Sequence, residues 1–382
     1  MARLNRSALA RLRATLQSHI DRQRIPGAIA VVALGGHVEL FEALGRQDPQ
    51  AGAAMRDDAI FRIYSMTKPI VSLATLILAE EGGLQLADPV SKYLPEFANQ
   101  QVAVEEGGAV RLQPSRRDAT VHDLLRHTAG LTYEFLGSNA VQRQYEAADI
   151  TNRSRTSAEF CKVLAAMPLA DQPGTRWQYS RATDVLGALI EAAAGQPLGA
   201  LLQQRVLGPL GMKDTAFAVP QDQWHRTAEP FANDPDSGDA VVMMDGREVP
   251  KFESGGGGLL STAADYTRFL QLMRNRGSLE GTRLVSRKTI EWMTADHLGA
   301  VPANGDLLLP GYGFGLGFSV RTHAGLAPQP GSVGQYFWSG IGGTSFFVDP
   351  AEDLFAMLLT QAPNQRIFFR NLYRHLVYAA VD

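Results

Sequence analysis

The chain has 382 residues, 45% of them hydrophobic and 20% charged, with a formal net charge of −3. A chain of this length buries a sizeable core in one or two domains without disulfides or a structural metal. Scattered, nearly balanced charge excludes a nucleic-acid footprint and a polybasic membrane anchor, and the single cysteine, Cys161, cannot make an internal disulfide.

The opening residues are basic but lack the uninterrupted apolar stretch of a signal peptide. Leu9, Leu12, Leu16 and Ile20 recur at helical spacing, which predicts an amphipathic helix ending near Pro26. Residues 28–34 are continuously apolar, Gly35-Gly36 makes a turn, and residues 37–43 alternate, the pattern of a hairpin with a well-buried strand. A helix over about 66–81 follows and stops at Gly82-Gly83. From 89 to about 225 strand signals fade and helical periods dominate, as in VHDLLRHTAGL, SAEFCKVLAAM and DVLGALIEAAAG. Within the second of these Cys161 reads as a buried structural thiol. The polar stretches 98–118 and 218–250 are expected to be loops over a site. Thr262 and Asp265 have capping-box spacing at the start of another helix. Strand-like runs return at 311–320, 343–350 and 354–360, the last two split by the turn Pro350-Ala351-Glu352-Asp353, and a final helix begins near Gln365. The longest apolar run, 70–79, is too short to span a bilayer, so the expectation is a cytoplasmic protein without membrane contact. The predicted class is α+β: an antiparallel sheet built from 1–88 and 226–382, flanked by N- and C-terminal helices, with a mostly helical domain at 89–225 and the active site between them.

Three segments carry chemistry. Ser65-Met66-Thr67-Lys68 is an S-x-x-K tetrad that occurs once in the chain. At a helix start the two side chains share a face one turn apart, and a serine hydroxyl becomes a nucleophile only when a neighbouring base takes its proton. Lysine serves as that base once burial or a nearby cation lowers its pKa. Tyr179, after a turn and before a helix, is a candidate proton relay if a cation lowers its pKa. Trp338-Ser339-Gly340 enters a glycine-rich bend whose edge can offer a backbone N–H to an oxyanion. Taken singly, each also has a plain structural reading: a helix cap, a packed aromatic, a β-bulge.

The order of S-x-x-K, a tyrosine about 110 residues on, and a Gly-containing triad leading into a C-terminal strand resembles the serine β-lactamase and DD-peptidase superfamily. Its class C-like branch is the nearest, and within that the family VIII carboxylesterases, with lovastatin-type acyltransferases as relatives. EEGGLQLADPVSKYLPEF, LLRHTAGL, GGGGLLSTAADYTRFL and GYGFGLGF also look like landmarks of that family. The resemblance implies Ser65 as the acylated nucleophile, Lys68 and Tyr179 sharing base and acid work, and an oxyanion hole from the N–H groups of Ser65 and Ile341. It implies that Trp338, Ser339, Gly340 and Tyr133 face the substrate. Which of Lys68 and Tyr179 takes the first proton stays open. Two departures stand out: Tyr179-Ser180-Arg181 replaces Tyr-x-Asn, and Trp338 stands where a Lys or His is usual. Both argue for an ester carbonyl over a lactam or peptide. Arg181 either supplies a replacement cation at the substrate or points to solvent.

No G-x-S-x-G elbow, H-E-x-x-H motif or cysteine cluster occurs, and the glycines at 255–258 lack a P-loop lysine, so no metal or cofactor is expected. His122 and His127 read as capping or core residues. The expected activity is hydrolysis of small, short-chain esters through a Ser65 acyl-enzyme, the partner being a small-molecule ester and no protein partner being required. Acyl transfer, weak β-lactam hydrolysis and non-catalytic binding are the alternatives.

Overall fold

The computed structural model describes residues 3–107, 109–303, 305 and 307–382. Helix α1 (Arg6–Asp21) is capped by the Asn5 side chain, which accepts the Ala8 N–H at 3.1 Å. Strands β1 (Gly27–Leu34), β2 (His37–Asp48) and β3 (Ala53–Ala54) follow, then β4 (Ile60–Arg62), a single 3₁₀ turn (Tyr64–Met66) and helix α2 (Thr67–Glu80). The middle holds the hairpin β5 (Gln101–Glu106) and β6 (Ala109–Pro114) and helices α3 (Val121–Leu125), α4 (Ala140–Ala147), α5 (Ser157–Ala165), α6 (Ala182–Ala194), α7 (Leu198–Leu202) and α8 (Gly208–Leu210). Strand β7 (Leu260–Thr262), helix α9 (Ala263–Arg274), the short strands β8 (Ser278–Leu279) and β9 (Thr282–Arg283), and α10 (Arg287–Met293) lead to β10 (Tyr312–Phe314), β11 (Ser319–Arg321), β12 (Tyr336–Ser339), β13 (Ser345–Asp349) and β14 (Leu354–Leu359). Helix α11 (Arg366–Tyr378) follows.

Eight strands form one antiparallel sheet in the order β10-β11-β12-β13-β14-β1-β2-β3. The join is β1 against β14, with Ile29 opposite Leu359 and Leu34 opposite Leu354. Side-chain alternation assigns each face a cover. Ala28, Ala30, Val32, Leu354, Ala356 and Leu358 pack with Leu12 and Leu16 of α1 and Phe369, Tyr373 and Val377 of α11. Ile29, Val31, Phe355, Met357, Phe346 and Trp338 face the larger core, with α2, α6 and α9. Burial on both faces explains the unbroken apolar run of β1.

Three expectations are corrected. The stretch 98–118 is not an irregular loop but contains β5 and β6, paired from Gln101–Pro114 to Glu106–Ala109. Its residues are mostly exposed on both faces, so the strand carries little hydrophobic signal. The run 311–320 is two strands, because the chain reverses between β10 and β11 through Gly317, at φ +99°. The first helix ends at Asp21, not near Pro26. At α9, Thr262 caps Asp265 as the spacing implies, while the Asp265 carboxylate turns instead to the Asp214 N–H and the Thr215 hydroxyl. Among the described residues no single helix is long and apolar enough to cross a membrane.

Helix α11 is fastened to the sheet by the buried Tyr373 hydroxyl, which donates to the Val31 carbonyl at 2.7 Å. Tyr373→Phe should cost about 1 kcal/mol of unfolding free energy, read as a lowered urea midpoint at unchanged m-value; an unchanged midpoint would show that this bond adds nothing.

Candidate active site

Ser65 sits in the 3₁₀ turn that opens α2, where residues three apart eclipse one another. Lys68 lies one turn on, in the first turn of α2, with Nζ 3.2 Å from Ser65 Oγ. Tyr64, just before Ser65, has φ +44°, a left-handed conformation uncommon for an aromatic residue. It is held there from outside: the Met244 N–H donates to its hydroxyl at 3.0 Å, and a Cβ on Gly342 would stand 2.7 Å from its ring.

Lys68 is fully buried, and no carboxylate lies within salt-bridge distance of it among the described residues. Its ammonium hydrogens are directed to Ser65 Oγ, to Tyr133 OH at 3.0 Å and to the Gly256 carbonyl. Burial pulls its pKa down to about 7; the repulsion of Arg181 adds to that and the attraction of Asp184 opposes it. Tyr179 OH donates to Ser65 Oγ at 2.6 Å and receives the Trp338 indole N–H at 3.4 Å. The expectation that a cation lowers the Tyr179 pKa is overturned: its phenol is buried, and burial pushes it up, outweighing its hydrogen bonds. The order of acidity therefore lets a large share of the lysine be neutral near pH 7 while the tyrosine stays protonated.

Trp338 lies in β12 with its ring 5.2 Å from that of Tyr179 and 5.3 Å from Phe314. Gly340 is required by close approach: a Cβ there would lie 2.4 Å from the Ile63 carbonyl and 2.5 Å from Thr344 Oγ1. The end of β12 thus abuts the turn that carries Ser65. The Ser65 and Ile341 residues border one cavity, and neither N–H is taken up by a backbone carbonyl among the described residues. Ser339 borders it too and accepts from the Arg370 guanidinium at 2.8 Å.

The cavity holds about 520 Å³ and its outer wall is apolar, with Phe135, Leu307, Ile341 and Ile367 all partly exposed. Arg181 does not point out to bulk solvent but lines the cavity wall. It is buried, paired with Glu134 at 2.5 Å and with Asp184 at 3.4 Å, so its charge is already matched by carboxylates. Asp184 also accepts from the Gly256 N–H and the Ser254 hydroxyl. The glycine run is tight packing: a Cβ on Gly256 would lie 2.7 Å from Asp184 Oδ2 and one on Gly255 2.6 Å from the Thr183 carbonyl. His127 is a buried core residue whose Nδ1 meets Ser180 Oγ at 3.1 Å, and His122 meets His297 at 2.9 Å. Cys161 is buried, and burial raises its thiol.

Glu134 and two arginines of α11, Arg366 and Arg370, border the cavity without having been singled out in the sequence, and Gly256 borders it from the glycine run at 255–258. The arginines had a signal: Arg366, Arg370 and Arg374 recur every four residues along an otherwise apolar stripe. Burial lowers the pKa of Arg370 to about 10. Gly256 had none, since a carbonyl acceptor has no residue type.

The Beta-lactamase family model matches residues 12–379. The chain is 36% identical over 378 residues to Esterase EstB of Burkholderia gladioli, covering 93% of this chain and 90% of that protein. It is 28% identical to Lovastatin esterase of Penicillium rubens over 296 residues, 75% of this chain and 72% of the other. Among solved structures, EstCE1, described as a hydrolase with promiscuous acyltransferase activity, superposes with a TM-score of 0.82 at 27% identity, covering 98% of this chain and 99% of the other. With this architecture and a match over nearly its whole length, the chain belongs to the Beta-lactamase family.

Proposed function

We propose that this protein is a serine carboxylesterase that cleaves small-molecule esters through an acyl-enzyme on Ser65. One observation carries the reading: Ser65 Oγ lies between a buried amine at 3.2 Å and a phenol at 2.6 Å. A neutral Lys68 has two N–H bonds, which Tyr133 OH and the Gly256 carbonyl accept. Its lone pair then faces Ser65 and takes the hydroxyl proton. Ser65 Oγ bonds to the ester carbon, and the carbonyl oxygen gains charge between the Ser65 and Ile341 N–H groups, worth on the order of 10² to 10³ in rate per donor. Tyr179 OH protonates the departing alkoxide, and the Lys68 ammonium returns a proton to the phenolate. Water then loses its proton to Lys68 and attacks the acyl carbon, and Ser65 leaves as the hydroxyl. EstB and Lovastatin esterase are named for ester cleavage, which supports this reading.

Trp338, Ser339 and Gly340 form one wall and Tyr133 another. A Trp in the third motif offers no cation to a lactam carboxylate, which favours esters. A second reading, acyl transfer to an alcohol, is favoured by the apolar open mouth, which would hold an organic acceptor against water, and by the described activity of EstCE1.

The decisive assay is p-nitrophenyl ester turnover, acetate to decanoate, beside nitrocefin, for the wild type and Ser65→Ala. Short chains should turn over fastest, nitrocefin far more slowly, and Ser65→Ala should lose at least about 10³-fold. Activity surviving in folded Ser65→Ala would sink the mechanism. Added alcohol giving more transfer than hydrolysis would select the second reading.

Because only neutral Lys68 takes the proton, kcat/KM should fall tenfold per pH unit on the acid side of about 7. An acid limb near 4 would point to a carboxylate base instead.

Lys68 also links to stability. The unfolded chain binds its proton up to about 10.5 and the folded chain only up to about 7. Wild-type stability contributed by this group is therefore lowest below pH 7 and rises through the window from 7 to 10.5. Lys68→Met should be more stable than wild type at pH 6, and the gap should narrow by up to about 1.4 kcal/mol per pH unit above 7. Urea unfolding at pH 6 and pH 9 measures it; a gap independent of pH would refute it.

A further inference from the structure

We infer that Arg181 is a positioning residue for Lys68: a buried cation that holds both hydrogen-bond acceptors of the lysine in place and opposes a second positive charge beside it. The inference rests on the reading of Lys68 as the base. Three contacts lead to it. The Arg181 guanidinium lies 4.7 Å from the centroid of the Tyr133 ring, whose hydroxyl receives Lys68 Nζ at 3.0 Å. The two cations thus share one aromatic ring, with Lys68 Nζ 5.4 Å from the same centroid. The main-chain N–H of residue 181 donates to the Thr132 carbonyl at 3.2 Å, so the backbone already sets the guanidinium beside the segment that leads into Tyr133.

The second route runs through Asp184. Arg181 Nη1 meets this carboxylate at 3.4 Å, and the carboxylate receives the Gly256 N–H at 3.0 Å. The Gly256 carbonyl is the other acceptor of Lys68. Both N–H bonds of a neutral lysine therefore end on groups that Arg181 supports. The remaining partner, Glu134, pairs with Arg181 at 2.5 Å and is next in sequence to Tyr133.

The charges near Lys68 can be counted. On α6 stand Arg181 and Asp184, and on the segment after Tyr133 stands Glu134. Tyr133 and Tyr179 are phenols whose ionisation burial disfavours, and His127, behind α3, is kept neutral chiefly by burial. Asp184 draws a proton onto the amine and Arg181 opposes it. Glu134 pairs with the guanidinium and so tempers that opposition. An Asn in place of Arg181 would supply no such charge.

The test is the pH dependence of kcat/KM for p-nitrophenyl acetate in four variants. Arg181→Gln should move the acid limb to higher pH by about one unit or more, because Asp184 then favours the protonated lysine with no cation opposing it. Glu134→Gln should move it the opposite way, to lower pH. Arg181→Lys, which keeps the charge and loses the fork, should leave the limb near wild type while lowering kcat. The double variant Arg181→Gln/Glu134→Gln should return the limb towards wild type. If Arg181→Gln does not fold, Glu134→Gln and the double variant carry the test alone. Shifts of the same sign in the two single charge-removing variants, or falls in kcat with a stationary limb in those same two variants, would overturn the inference. Lys68→Ala separates the two levels. An acid limb that persists in its residual activity removes Lys68 as the base. A limb that vanishes there and still ignores Arg181 and Glu134 removes only the role of Arg181.

Discussion

An amine buried without a carboxylate is costly in either protonation state unless each of its hydrogens meets an acceptor. Lys68 is held under that constraint, and most of the cleft answers to it. The Gly256 carbonyl and the Tyr133 hydroxyl receive it, and Asp184 and Arg181 hold those two groups from behind. The arrangement ties three separate parts of the chain to α2: the segment before α4, the start of α6 and the glycine run before β7. Desolvation alone would have lowered the lysine pKa, but it would also have left unpaired N–H groups. The acceptors let the amine stay neutral and fixed at once.

Ser65 answers to a different constraint. It stands at a kinked turn whose left-handed Tyr64 is clamped by Met244 and by the backbone near Gly342. Strain of this kind persists only where surrounding structure over-determines it. The same region supplies Ile341, so one local packing problem sets both the direction of the hydroxyl and the position of the second N–H at the cavity. Gly340 is the hinge of that solution, because any side chain there would collide with the Ile63 carbonyl.

The architecture was legible where physics writes it into residue types. The continuous apolar run at 28–34, the strand-like runs on either side of the Pro350 turn and the stripe in the last helix all reported a covered sheet. The S-x-x-K spacing gave the contact between Ser65 and Lys68, and motif order brought Tyr179 and Trp338 to it. What stayed hidden is what depends on backbone or on long-range charge. The Gly256 carbonyl has no sequence signal. The fate of Arg181 depended on Glu134 lying 47 residues away. The direction of the Tyr179 shift depended on burial, which a single tyrosine after a turn does not announce. The β5–β6 hairpin was hidden for another reason: its alternation, Val102 and Val104 then Val110 and Leu112, is short, sits among polar residues and buries only Val102.

The central pairing of β1 with β14 has a consequence in time. Residues 27–34 find their first partner in the neighbouring β2 and their second only when residues 354–359 exist, and Ser65 meets the end of β12 only after residue 340 has been made. Few of the contacts that complete the cleft are local, and loop closure over such separations is slow to be rewarded. During synthesis Ser65 and Lys68 emerge well before the strands they must meet, so the cleft is among the last parts of the molecule to close.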